Sequence, residues 1–370
     1  MLLLSPVLLE NLTFAGSRTL CDILFVTSFS LVILKNIKIR IDVLGACTSL
    51  MFLVVMLHNL LFDYANVSKT INSDMSYYLQ WLIEDREIAD FVPLGDYYRN
   101  SLIYLRYLLI PIYFAIGCIY ARKRGRETAI EIIWRMSLIA LILNLIVSLF
   151  KHDDRISGLF DNTATLSSLA VMCIIMSYFT RSHIKFLVTF VLGLIVLIMS
   201  QTVSAFLGLS AALLVIILRI RNPHKKTIFA TIILSAVIAS VGLIPYVMDS
   251  ISKYLYTGSL VNRLNIWTTI FSYFDSWNVI TFGLGAFPVF ADNVFIWMIS
   301  GFGIATVLFY LYLYKIGNKS HESSLFITMV LWQGMLFPGF IMPYMLITTF
   351  IILGVLSTAE EESHGTHIIN

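Results

Sequence analysis

The chain has 370 residues, of which 58% are hydrophobic and only 13% are charged. Its mean hydropathy of +0.85 lies well above that of water-soluble domains, so the composition excludes a soluble enzyme. The formal net charge of +3 is small, and the placement of the basic residues says more than their sum. The composition therefore predicts an all-α, polytopic transmembrane helical bundle that forms a single domain over residues 1–370.

Apolar runs long enough to cross a hydrocarbon core of about 30 Å recur along the whole chain. Between charged or turn-rich breaks they predict eleven spans, near residues 19–34, 43–61, 102–121, 128–150, 163–180, 185–201, 203–219, 227–247, 291–314, 323–340 and 342–357. Two of the predicted connections, about 62–101 and 248–290, are far longer than the few residues needed to join helices in a bundle.

The basic residues are distributed unequally between alternate connections. One set of connections holds fifteen of them, whereas the other set holds only eight over a much greater length. The positive-inside rule assigns the first set to the cytoplasm. The N-terminus and both long loops are then expected on the extracytoplasmic side, and the C-terminus in the cytoplasm, as the parity of eleven spans requires.

The first long loop, about 62–101, mixes aromatic residues with acids. Tyr77, Tyr78 and Trp81 lie close in sequence to Asp74 and Glu84. Such a mixture suits sugar binding, because rings stack on sugar faces and carboxylates accept hydrogen bonds from hydroxyls. It equally suits an interfacial aromatic belt with a solvated acidic face.

Two arginines on the extracytoplasmic side are candidates for binding an anion. Arg155 follows the fourth predicted span, and Arg263 lies in a stretch whose apolar residues recur at helical spacing. A guanidinium can bind phosphate through two parallel hydrogen bonds and stays charged at any relevant pH. The alternative for each is an arginine that snorkels at the membrane surface, and Asp153 or Asp154 would pair with Arg155 there.

Glycines and an acidic residue follow Arg263. Gly283 and Gly285 permit close backbone approach, and Asp292 with Asn293 opens a strongly apolar helix. Asp292 would either cap that helix or act as a base or orienting group.

Two further arginines lie within predicted spans. Arg135 follows Glu131 by four residues, a spacing that predicts an ion pair on one helix face. For Arg106 two readings stay open, because it would either snorkel outward or join a substrate pocket.

Several short motifs occur in a fixed order on the predicted extracytoplasmic side. They are Arg-x-x-Gly-Leu-Phe-x-Asn at 155–162, Ser-x-x-x-Ser at 200–204, Arg-x-x-x-Trp at 263–267, Gly-x-Gly at 283–285, Asp-Asn at 292–293 and a following Gly-x-Gly. This order resembles the Wzy-type O-antigen polymerases, which belong with the O-antigen ligases to a superfamily of bacterial membrane glycosyltransferases. The resemblance covers residues 150–315 by motif and the whole chain by topology.

The resemblance implies an enzyme of the bacterial inner membrane that joins undecaprenyl-pyrophosphate-linked oligosaccharide repeat units at the periplasmic face. It implies no cofactor, metal, nucleotide sugar or nucleic acid, and it suggests a chain-length regulator and a flippase of the same pathway as partners. The residues that it nominates are Arg155 and Arg263 at the pyrophosphate and, around the substrate, Asp154, Asn162, Trp267, Gly283, Gly285 and Asn293.

The general base is a separate hypothesis. An activated pyrophosphate leaving group needs cations for the developing negative charge and a carboxylate near the attacking hydroxyl. Asp292 is the first choice for this carboxylate, with Asp154 and Asp161 as rivals. Ligases often have a histidine at the position of Asp292, so the aspartate favours a polymerase over a ligase.

Two other classes of function stay open. A flippase or exporter of lipid-linked sugars would more often show ionisable residues at mid-membrane and two repeated halves, and no repeat is evident in this chain. A non-catalytic scaffold or sensor would leave the order of arginines and glycines unexplained.

Overall fold

A computed structural model of the chain describes residues 41–61, 105–150, 156–160, 163–219, 267–284 except 269 and 273, 293–341 except 338, and 345–358. Within these ranges every regular element is a helix. The helices are α1 (Val43–Leu61), α2 (Ile110–Arg124), α3 (Arg126–Phe150), α4 (Thr163–Phe179), α5 (His183–Ser200), α6 (Val203–Arg219), α7 (Trp277–Phe282), α8 (Val294–Phe302), α9 (Ala305–Gly317), α10 (His321–Gly334) and α11 (Leu346–Leu356). The prediction of an all-helical bundle is thus confirmed for these residues.

The predicted spans and the observed helices agree best in the first half of the chain. α1 and α3 to α6 match predicted spans to within about two residues at each end. α2 starts at Ile110, after a turn at Leu109 that separates it from four helical residues at 105–108. The predicted spans 19–34 and 227–247, the loop 62–101 and most of the loop 248–290 lie outside the described residues.

Among the described helices, α3 and α5 are by length and composition apolar enough to cross a membrane. α5 also directs apolar side chains outward, because Ile184, Leu187, Val188 and Val191 are all at least half exposed. Their spacing of three and four residues makes one continuous stripe along the helix. An exposed stripe of this kind suits contact with lipid chains better than contact with water.

Ion pairs gather at one end of the bundle. Lys315 Nζ lies 2.8 Å from Asp42 Oδ1, and Arg126 Nη2 lies 2.8 Å from Glu322 Oε2. Glu131 accepts from Arg135 Nε at 2.9 Å, which confirms the predicted ion pair. It also accepts from Lys185 Nζ at 2.5 Å. We call this end, marked by Asp42, Arg122, Arg126, Lys315 and Lys319, the basic end.

The closest helix crossing joins α2 to α11. A Cβ atom added at Gly117 would lie 2.1 Å from Ile351 O, and one added at Gly354 would lie 2.1 Å from Phe114 O. Both distances are far below van der Waals contact, so only glycine permits this approach. The Cys118 thiol donates to Gly354 O at 3.2 Å across the same crossing.

The predicted span 291–314 is wrong as a single helix. The chain bends sharply at Gly303, so that the Tyr310 hydroxyl donates to Val294 O at 3.2 Å. In a continuous helix these two residues would lie about 24 Å apart, at 1.5 Å per residue. Thr306 Oγ1 likewise reaches Met298 O at 2.9 Å. The apolar pattern continues through the bend because both α8 and α9 consist mainly of apolar residues, and the pattern therefore could not reveal it.

Candidate functional site

Two short helices, α7 and α8, meet at their C-termini in the half of the bundle away from the basic end. Leu284 N donates to Ser300 O at 2.7 Å, and Ile304 N donates to Ile280 O at 3.0 Å. The last carbonyls of a helix have no partner within their own helix. α7 and α8 thus satisfy each other's terminal carbonyls, which fixes their relative position without any charged group.

Glycines make this contact possible. Gly283 and Gly303 have positive φ values of 72° and 53°, a backbone conformation that disfavours other residues. A Cβ at Gly283 would lie 2.7 Å from Ser300 O, and one at Gly303 would lie 2.6 Å from Thr281 O. The close backbone approach predicted for Gly283 is confirmed, and its neighbours within the described residues are protein backbone.

Asn293 begins α8 as its cap. Its Oδ1 accepts from Phe295 N at 2.9 Å and from Ile296 N at 3.3 Å, and its Nδ2 donates to Met335 O at 3.1 Å. Both the oxygen and the nitrogen of the Asn293 amide therefore form hydrogen bonds with the protein backbone. Sequence reasoning considered Asp292 as the cap of this helix, whereas the structure gives that role to Asn293. The role of Asn293 in substrate binding stays a prediction.

α8 lies in the interior, and its middle contacts the segment before α2. The Tyr107 hydroxyl donates to Ile341 O at 2.7 Å and lies 3.4 Å from Trp297 Nε1, which donates to it. The Tyr107 ring also packs against Phe302, with centroids 5.0 Å apart. One fully buried tyrosine thus joins three parts of the chain that are distant in sequence.

Arg106 precedes this tyrosine and is only 9% exposed. Among the charged residues that the structure describes, it is the one classed as buried. The basic residues of α2 begin only at Arg122, and Tyr107, next to Arg106, packs on Phe52 in the middle of α1, so Arg106 lies away from the basic end. Of the two readings for Arg106, the burial favours an inward-facing side chain over one that snorkels into solvent.

The C-terminal end of α1 supports the same region. The His58 ring stacks on Phe282, with centroids 3.6 Å apart and planes inclined by 12°. Asn59 Nδ2 donates to Phe282 O at 3.4 Å. Because α1 starts at the basic end, where Asp42 pairs with Lys315, its other end carries α7.

A buried polar cluster connects α4, α6 and α10. Gln333 Nε2 donates to Ser168 Oγ at 2.5 Å, and both side chains are buried. Gln333 Oε1 and Ser204 Oγ are buried as well, and neither has a hydrogen-bond partner among the described atoms. Sequence reasoning named Ser204 only as part of a turn, and it missed Gln333 and Tyr107, because a lone polar residue in an apolar span carries no motif.

The structure describes three of the nominated site residues. Gly283 and Asn293 lie near opposite ends of α8, while Trp267 is half-buried against the core. The Trp267 Nε1 atom is buried without a partner among the described residues. The remaining candidates lie outside the described residues, namely Asp154, Arg155, Asn162, Arg263, Gly285 and Asp292.

No protein-family model matches the chain, and comparisons with curated proteins and with solved structures likewise find no match.

Proposed function

We propose that the protein is a polysaccharide polymerase of the bacterial inner membrane, acting at the periplasmic face on undecaprenyl-pyrophosphate-linked oligosaccharide repeat units. The observation that carries the proposal is the order of Arg155, Arg263, Gly283 and Asp292 along a strongly apolar chain. The contact between α7 and α8 is compatible with it, because Gly283, the first glycine of the Gly-x-Gly motif, packs against the helix that Asn293 opens.

The reaction requires one bond to form and one to break. A hydroxyl oxygen of the acceptor unit bonds to the anomeric carbon of the donor sugar, while the bond from that carbon to the pyrophosphate oxygen breaks. The hydroxyl proton passes to the base, and undecaprenyl pyrophosphate leaves as an anion. Arg155 and Arg263 would stabilise the negative charge of the leaving group, and Asp292 would accept the proton.

The position of Asp292 in the chain fits this role. It immediately precedes Asn293, which is 9% exposed and capped onto α8 beside Met335. In sequence, the Asp292 carboxylate therefore comes one residue before the cap of α8. Its rivals Asp154 and Asp161 flank a described segment, residues 156–160, in which Ile156 N donates to Met199 O at 3.4 Å.

The experiment is the surface polysaccharide ladder of cells that lack this gene, complemented with wild type or variants at equal expression. We expect deletion to leave single repeat units, wild type to restore long chains, and Arg263→Ala to fail. Asp292→Asn should lower polymerisation about 10²–10⁴-fold because it removes the base. Asp275→Asn is the matched control, since Asp275 is exposed and lies in the same part of the chain.

Full polymer length with Asp292→Asn would disprove its role as the base. Lysine variants at Arg155 and Arg263 keep the charge but lose the planar fork, so retained activity in both would exclude bidentate binding. An unchanged ladder after deletion would refute the assignment to surface glycans as a whole.

Export or flipping of lipid-linked sugars is the second candidate, because a buried arginine within a helical bundle is also typical of transport pathways. The same ladder separates the two. A flippase defect removes even the single-unit band, whereas a polymerase defect preserves it.

A further inference from the structure

A cavity of about 220 Å³ lies at the basic end, between the start of α1, the C-terminal half of α2 and the connection from α9 to α10. Its polar rim includes Asp42, Arg122 and Lys319. Its wall includes Phe114, Cys118 and Tyr312. None of these residues belongs to the proposed polymerase site, so the cavity is a separate feature.

The rim has more positive charge than the described residues neutralise. Asp42 is the acid that lines the cavity in the described part of the chain, and Lys315 already binds it at 2.8 Å. The hydrogen bond from Lys315 is the main cause that holds the pKa of Asp42 below its ordinary value, so this carboxylate is ionised and occupied. The positive charge of Lys319 also lowers the pKa of Asp42, but one carboxylate cannot neutralise Lys315, Lys319 and Arg122 together, so the rim keeps positive charge that an anion from outside the protein would neutralise.

Apolar side chains contribute to the wall below these cations. Phe114 and Tyr312 are buried in the core, and the Lys319 ammonium lies 4.7 Å from the centre of the Phe114 ring. An inorganic anion would leave this apolar surface uncovered, whereas an amphiphile would cover it with its first methylene groups. The volume is below the 300–1,000 Å³ typical of sites for whole drug-sized ligands, so it suits a headgroup rather than a complete lipid.

The geometry points to a binding site for the phosphate headgroup of an anionic phospholipid from the cytoplasmic leaflet, held by Arg122 and Lys319 with its acyl chains leaving along the apolar wall. Basic pockets between helices on this side of a membrane recognise lipid phosphates in the same way. The inference depends on the proposed membrane orientation but not on glycan chemistry, so either proposal can fail without the other.

The test uses the purified full-length chain, with bound lipid counted by native mass spectrometry. The probes are phosphatidylglycerol and phosphatidylcholine. We expect phosphatidylglycerol to bind preferentially, and Arg122→Gln/Lys319→Gln to weaken it about tenfold or more, because charge-assisted hydrogen bonds are lost. The control is Lys123→Gln/Arg124→Gln, which also removes two positive charges. Both residues lie next to Arg122 in the last turn of α2 but do not line the cavity, so this variant should bind phosphatidylglycerol like wild type.

Cys118 offers a second readout. After Cys21→Ser and Cys47→Ser the chain keeps two cysteines, Cys118 and Cys173. Because Cys173 is fully buried, the rate of maleimide labelling reports on Cys118 in the cavity wall. Labelling should be slower in phosphatidylglycerol nanodiscs than in phosphatidylcholine nanodiscs. The conservative double variant Arg122→Lys/Lys319→Arg should keep this protection, which distinguishes loss of the site from loss of the fold.

Three results would overturn the inference. Equal weakening by the two glutamine double variants would show diffuse attraction to the whole basic end. Equal binding of phosphatidylcholine would remove the role of net charge. Glycerol 1-phosphate binding as tightly as phosphatidylglycerol would assign the cavity to a soluble phosphate compound instead of a lipid.

Discussion

Replacing either glycine at the contact between α7 and α8 with alanine should destabilise the protein strongly. Gly283 and Gly303 both have positive φ, and each hypothetical Cβ falls within 2.7 Å of backbone atoms of the other segment. Backbone cannot rotate away as a flexible side chain can, so the two helix ends must separate. That separation weakens the two hydrogen bonds that Leu284 N donates to Ser300 O and Ile304 N donates to Ile280 O.

The size of the effect follows from two contributions. A residue with a Cβ costs about 1–3 kcal/mol in the backbone conformation of Gly283 and Gly303, where a positive φ is combined with an extended ψ. Weakening two backbone hydrogen bonds adds about 0.5–1.5 kcal/mol for each bond. Each single substitution should therefore lower the free energy of unfolding by about 2–6 kcal/mol. The hydrogen-bond loss occurs only once, so the double variant should cost about 1–3 kcal/mol less than the sum of the two single variants.

The assay is equilibrium unfolding in mixed detergent, followed by tryptophan fluorescence, on both single variants and the double variant. Gly317→Ala is the control, because Gly317 lies in a helix and the nearest atom to its added Cβ is 3.4 Å away. That substitution should be neutral or stabilise by up to about 1 kcal/mol, since alanine is the better helix former. If Gly303→Ala proved as stable as Gly317→Ala, the reciprocal contact would not hold the helix ends together.

Three further predictions concern other contacts. Replacing Arg126 with Glu, or Glu322 with Arg, breaks their partly buried ion pair and should destabilise the protein. Making both replacements together should restore part of the lost stability, with a coupling energy of about 0.5–3 kcal/mol in a double-mutant cycle. Asn293→Ala should lower the melting temperature, because it removes a helix cap that contributes about 0.5–2 kcal/mol of stability. Asn293→Asp keeps the acceptor oxygen and should lower the melting temperature less. The pair of Asp42 with Lys315 should stabilise fully above the ordinary pKa of 3.8 and fade as pH falls through the lower folded pKa. Because both side chains are partly exposed, this contribution should stay within about 1 kcal/mol, and Asp42→Asn should abolish its pH dependence in acid unfolding curves.

Span prediction succeeded where one apolar run corresponds to one helix. α4 and α6 match their predicted ranges closely, because polar or charged residues interrupt the apolar pattern at their ends. It failed at residues 291–314, where the bend at Gly303 lies inside a continuous apolar stretch and leaves hydropathy unchanged. α10 and α11 are also shorter than their predicted spans, since the apolar residues that join them pack into the core without forming a helix. Phe340 and Ile341 are examples.

The site was partly predictable for a similar reason. Glycine signals close backbone approach in any sequence, so Gly283 could be singled out before its contact was known. The role of Asn293 as a cap required coordinates, because Asp292 beside it is an equally good capping residue type. The Tyr107 hydroxyl joins α8 to the segment before α11 through hydrogen bonds with residues 190 and 234 positions further along the chain. No local sequence pattern encodes contacts over such separations.

The crossing of α2 and α11 also constrains how the protein is made. Cys118 and Gly354 are separated by 236 residues, yet their helices form the closest approach in the described fold. At about 5–20 residues per second, ribosomes need roughly 10–50 s to synthesise the intervening chain. During that interval the Gly117 face of α2 has no partner, and a nascent chain that stops before α11 cannot complete it. Assembly of this fold is therefore expected to finish late, with the last described helix closing onto one of the first.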